Sequence, residues 1–255
     1  MKTKPGIVAK ASVCFVSSFV LLILLTMPAH SDSLPSISVS VWGTSDPWLA
    51  GMPARSSASY NPSDAPADYA PANLPVLVSL NVVQGALFTW SATGAVANFQ
   101  TTNPADFAGP NGFLTGDGIV PHLTGAENGI SDVTAPTNAL LGVFLGPSQP
   151  NLNTAPGALD FSSSASRNYL VLTPALQQVF YMGGGLTDTG IAQTVVAPQG
   201  ATRLFLGTMD YYQNMDNSGS FAVTVTDPVP EPSTMLLLGS GLVGLWGFRK
   251  RVRKS

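Results

Sequence analysis

Between residues 32 and 228 no segment holds apolar residues at helical spacing over more than about three turns. Short runs rich in β-branched and aromatic residues recur there instead, separated by Gly, Pro, Asn, Asp and Ser. They are Ser36–Trp42, Val76–Val83, Ala86–Ser91, Ala139–Leu145, Leu170–Leu172, Gln178–Met182, Thr194–Val196, Thr202–Met209 and Ser220–Thr226. The last is clearest, with Phe221, Val223 and Val225 on one face and Ala222, Thr224 and Thr226 on the other, as a half-buried strand requires. Such a series predicts an all-β domain, two antiparallel sheets packed as a sandwich of jelly-roll type. Composition agrees: 45% of the residues are hydrophobic, enough for a core, while 25 Gly and 21 Pro work against long helices. One small helix is expected near Pro174–Gln178, and long Pro-containing loops at 52–75 and 146–156.

Charge is segregated. The basic residues cluster at the two ends, and between Asp32 and Pro228 there are three Arg, no Lys and 13 of the 14 Asp and Glu, a formal balance of −10. A body of that sign repels a phosphate backbone, so no nucleic-acid partner is expected.

The ends read as addresses. Lys2, Lys4 and Lys10 precede an apolar stretch from Val13 to Met27 and the small-residue site Ala29-His30-Ser31, so residues 1–31 read as a cleaved signal peptide and signal helix. An uncleaved N-terminal anchor is the alternative, but the apolar run is short for a span. Cys14 lies in this segment, which leaves the exported chain without thiols or disulfides. At the other end, Pro230-Glu231-Pro232 precedes an apolar, Gly-rich run from Thr234 to Phe248 and the basic cluster Arg249 to Lys254. That run is marginal in length for a transmembrane helix. The basic cluster would stay cytoplasmic, leaving the body outside.

The order Pro-Glu-Pro, short apolar helix, Arg-rich end over residues 229–254 resembles the PEP-CTERM sorting signal of Gram-negative bacteria that make exopolysaccharide. The resemblance implies an exosortase as processing partner and a C-terminal helix that holds the chain in the inner membrane only until it is removed. The destination it implies is the cell envelope, outer surface or extracellular matrix. The expected division is therefore signal peptide 1–31, N-terminal strand and Pro-rich loop 32–75, sandwich 76–227 and sorting signal 228–255.

Within the body, the stretch from Asp210 to Asn217 concentrates carboxylates and side-chain amides between the last two predicted strands. Calcium takes six to eight hard oxygen ligands from such groups, and Asp210, Asn214, Asp216 and Asn217 are the candidate ligands. The plainer reading is a polar hairpin with Asn217-Ser218-Gly219 as turn residues.

The run Gly200-Ala201-Thr202-Arg203-Leu204-Phe205-Leu206-Gly207, then Asp210, then Asp216-Asn217-Ser218-Gly219-Ser220-Phe221 resembles the end of the calcium-dependent, galactose-binding bacterial lectins. Asn138 to Gly146 and Gly109-Pro110-Asn111-Gly112 resemble a core strand and the sugar-side loop of the same family. The resemblance, over about residues 75–226, implies a lectin-like sandwich in which the ion contacts sugar hydroxyls directly. Asn111, Asp117 and His122 are then the candidate carbohydrate contacts, with a glycan or extracellular polysaccharide as partner. The loop is one residue shorter than in the lectins and His122 lies farther along than their sugar-contacting His, so galactose specificity does not carry over.

Enzyme classes find little support. An exported chain with no Cys and one His leaves every nucleophilic triad dependent on His122, and no Gly-x-Ser-x-Gly elbow or His-Glu-x-x-His zinc helix occurs. Glycoside hydrolysis needs only two carboxylates, yet no spacing nominates a pair. Trp42, Trp48 and Trp90 form either a sugar platform or core. The expectation is a non-enzymatic, calcium- and carbohydrate-binding surface protein, with a purely structural matrix protein as the alternative.

Overall fold

The computed structural model describes residues 34–60, 67–114, 118–227 and 240–241. The signal-peptide segment, Asp117, Pro230-Glu231-Pro232 and all of the expected C-terminal helix but residues 240–241 lie outside them. Among the described residues no helix is long and apolar enough to cross a membrane.

The alternation read in the last strand sets the architecture. In β14 (Ser218–Thr226) Phe221, Val223 and Val225 are wholly buried, while Thr224 opposes Ser38 on the outer face, the two hydroxyls 2.8 Å apart. β14 lies between β1 (Ser36–Trp42) and β5 (Leu87–Ala97), antiparallel to both, and β12 (Thr194–Val196) and β10 (Val171–Leu172) complete a five-stranded sheet. The second sheet, in the order β11 (Val179–Tyr181), β8 (Leu140–Leu145), β13 (Arg203–Thr208), β4 (Val76–Val78), is antiparallel throughout. Phe144 of β8 lies 6.0 Å from Phe88 of the first sheet and 5.5 Å from Phe180 of its own, ring to ring, and this aromatic trio sits in one continuous core.

All six residues of β8 are buried, which a strand with one solvated face would not allow. Its outer side is covered by the 3-10 turn Pro47–Leu49, whose three residues are buried, and by neighbouring segments. Two small sheets flank the sandwich: the hairpin β2 (Ser57–Ala58) with β3 (Asp68–Tyr69), and β6 (Ile119–Pro121) with β7 (Val133–Pro136) and β9 (Leu159–Asp160).

The all-β sandwich therefore stands, with differences. β10/β12 and β7/β9 pair in parallel, over two residues each. β4 stops at Val78, where Leu80 N–H turns back to the Val78 carbonyl, while β5 runs on to Ala97 because β14 pairs with it over nine residues. Pro174–Gln178 is a turn, not a helix: Gln177 takes φ +65° and gives its N–H to Phe144 O and its side-chain amide to Gly129 O and Pro150 O. The short helix is instead α1 (Ser164–Arg167), capped by Ser163. β1 pairs over seven residues with β14, so residues 36–42 belong to the sandwich itself.

Candidate functional site

β13 and β14 are joined by residues 209–217, and this connection is built rather than loose. Gln213 enters the left-handed region at φ +58°, the 3-10 turn Asn214–Asp216 follows, and Asn217 ends it. Gly219, φ +83°, the second residue of β14, lies so close to its neighbour that a Cβ there would be 2.2 Å from Ala95 O, a position only glycine fills. The Asn214 side-chain amide donates to Thr208 O at 3.1 Å, and that of Asn217 to Gly43 O at 3.0 Å. Both amide nitrogens are thereby used, and both carbonyl oxygens are left buried without a partner. Asp210, 3% exposed, accepts Tyr211 N–H on Oδ1 at 2.6 Å while its Oδ2 has no hydrogen-bond partner.

Six buried side-chain N and O atoms are unsatisfied among the described residues, and five belong to Asp210, Asn214, Asn217 and Asn138. Asn138 stands at φ +67° and gives its backbone N–H to Met209 O, beside Asp210, with both atoms of its amide unpaired. A buried orphan costs about 1–3 kcal/mol, and four of these five atoms are oxygens able to accept a proton or a cation. Burial, with the charge of Asp216 adding, pushes Asp210 up to about 7 against the pull of the Tyr211 amide and the Asn217 side chain. A cation would reverse that shift. Among the described residues no three His, Cys, Asp or Glu come together as a metal cluster. The donor set is two carboxylates with amide oxygens, which fits a hard cation such as calcium and not a soft one. Asp216, solvent-exposed, shares with Asp210 a cleft of about 350 Å³ walled by Phe99, Tyr211 and Tyr212.

Of the carbohydrate candidates, the two described ones, Asn111 and His122, do not join that cleft. Asn111 Oδ1 accepts the Tyr181 hydroxyl at 3.2 Å and Gly184 N–H at 2.8 Å, bracketing another loop. His122 is 2% exposed, stacked on Trp48 at 3.5 Å and paired with Glu127 at 3.1 Å, which removes it from any surface contact. Of the tryptophans, Trp48 and Trp90 are core and Trp42 is 60% exposed at the end of β1.

A second buried polar group escapes sequence reading. Asp46 caps the turn at Trp48 N (2.8 Å) and accepts Ser59 Oγ (2.8 Å), and Asp68 accepts the N–H groups of Asn214 (2.8 Å) and Met215 (2.6 Å). Burial raises both, Asp46 well above the carboxylate range with Asp68's charge adding, and Asp68 up to about 7. The dipeptide Asp46-Pro47 is a cap signal that could have been read. Nothing adjacent to Asp68 in the sequence points to residue 214.

No curated protein matches the chain. Among solved structures, an EclA N-terminal domain described as a PllA-like lectin aligns over 74% of this chain and 94% of that one, at 13% identity and a TM-score of 0.33. At the C-terminus, residues 228–252 match the PEP-CTERM protein-sorting motif, and the chain carries that sorting signal.

Proposed function

We propose that this is an exported surface or extracellular-matrix protein, processed by an exosortase through residues 228–252, whose sandwich binds calcium and, with it, carbohydrate. The observation that carries the reading is four buried side-chain oxygens without a partner, on Asp210, Asn214, Asn217 and Asn138. Asp210, Asn214, Asp216 and Asn217 would hold the ion, and the ion would supply a positive centre at the base of the cleft. Phe99, 43% exposed, and Tyr211, 37% exposed, offer flat apolar faces beside it, the combination that suits a pyranose with one apolar face and a hydroxyl edge. The acidic body disfavours anionic ligands in the absence of the ion.

The test is a glycan-array screen of the exported protein in calcium and in EDTA. Binding to neutral glycans in calcium alone is expected. Binding unchanged by EDTA would overturn the role of calcium, and no binding in either buffer would return the body to a purely structural role.

A further inference from the structure

The hairpin β2–β3 reaches the metal loop at three consecutive backbone amides. Gln213 N–H donates to Ser59 O at 3.3 Å, Asn214 N–H to Asp68 Oδ2 at 2.8 Å and Met215 N–H to Asp68 Oδ1 at 2.6 Å. We infer that Asp68 is a positioning residue for the cation, carried by the β2–β3 hairpin to hold the turn that bears Asn214, Asp216 and Asn217. The inference rests on the calcium reading of that loop.

The turn begins at a residue in the left-handed region, and its first amides receive no side-chain cap from Gln213. They are orphan donors of the kind that ordinarily take a cap from the preceding residue. Asp68, fully buried and 146 positions away in sequence, supplies both acceptor oxygens instead. Its own place is fixed from three sides. Ala58 pairs with it across the hairpin, Ser59 Oγ donates to Asp46 Oδ2 beside it, and Ser59 N–H donates to Glu127 Oε2 at 2.6 Å. A cation gathering several oxygens from one connection otherwise has to order that connection on binding; here the order exists beforehand. Groups that orient metal ligands in this way are worth about 10–100-fold in affinity.

Coupling of this kind is reciprocal: if the hairpin readies the loop for calcium, calcium must stabilise the hairpin. The experiment is calcium titration calorimetry on the purified full-length chain and its Asp68→Asn variant, with hydrogen–deuterium exchange of both in calcium and in EDTA. Asp68→Asn keeps one carbonyl acceptor and loses the other. Calcium affinity is expected to weaken about tenfold or more, and the wild-type slowing of exchange at residues 57–58 and 68–70 in calcium is expected to vanish in the variant. A merely structural Asp68 would lower the melting temperature equally in calcium and EDTA and leave affinity unchanged, which would overturn the inference. Should Asp68→Asn not fold, the wild-type exchange decides, and hairpin amides indifferent to calcium would overturn it alone. A wild-type chain that takes up no calcium would defeat the calcium reading itself and this inference with it.

Discussion

Asp46 shows at the scale of one residue how the body tolerates buried acid. Its carboxyl accepts Trp48 N–H and Ser59 Oγ–H and faces Asp68 and His122, with no solvent exposure. Burial first and Asp68 second raise it, and burial raises Asp68 to about 7, whereas both titrate near 3.9 in an unfolded chain. A raised carboxyl favours the folded state while protonated. That contribution is fully present below about pH 4 and lost as pH rises through about 7. In EDTA the melting temperature should therefore fall between pH 5 and pH 8. Asp46→Asn, which cannot ionise and still accepts from Trp48, should shrink that fall without removing it, since Asp210 is raised in the same sense. Thermal melts at the two pH values check this, and an identical fall in the variant would contradict the assignment. Sequence alone placed Asp210, Asn214, Asp216 and Asn217 on one loop because they are adjacent. Asp68 and Asn138 are not legible, because only tertiary folding brings them there; Asp46 is legible as the cap before Pro47 but not as a neighbour of Asp68.

Elements differ in how openly the sequence declares them. β14 and β1 were readable because one face of each is core and the other wet, which writes a period of two into the chain. β5 was cut short at Ser91, since Ala92, Thr93, Gly94 and Ala95 carry little hydrophobic signal and owe their extension to pairing with β14. The hairpin of β2 and β3 has two residues a side inside a Pro-rich stretch, below any pattern, and its contact with residues 213–215 exists only in the folded chain. The apolar run from Thr234 to Phe248, with Pro230-Glu231-Pro232 before it, lies within the matched sorting motif. On the proposed sorting route, the surface form lacks residues from about Thr234 onward, and Glu231→Ala leaves full-length precursor in the inner membrane. Intact-mass measurement of the surface protein checks the first, and retention of Arg253 there would contradict it.

For the whole molecule, the topology sets the two ends of the described body and the 209–217 connection at opposite ends of β1 and β14. Asp227 N–H bonds Pro35 O at 2.9 Å and Thr226 pairs with Ser36, so the described body begins and finishes side by side, next to the sorting signal. At the other end of β1 and β14, Gly43 lies against Asn217, just beyond the eight residue steps, or about 26 Å, that β14 spans. A ligand bound only by the folded state adds about 2.7 kcal/mol at a hundredfold excess over Kd, and Mg²⁺, which demands a tighter octahedral shell, should add much less. The direct measurement is a thermal melt of the exported protein in EDTA, in excess calcium and in excess magnesium, beside Asp210→Ala. A rise in melting temperature with calcium alone, largely lost in Asp210→Ala, is the expected result; equal melting temperatures in EDTA and in calcium would contradict the account.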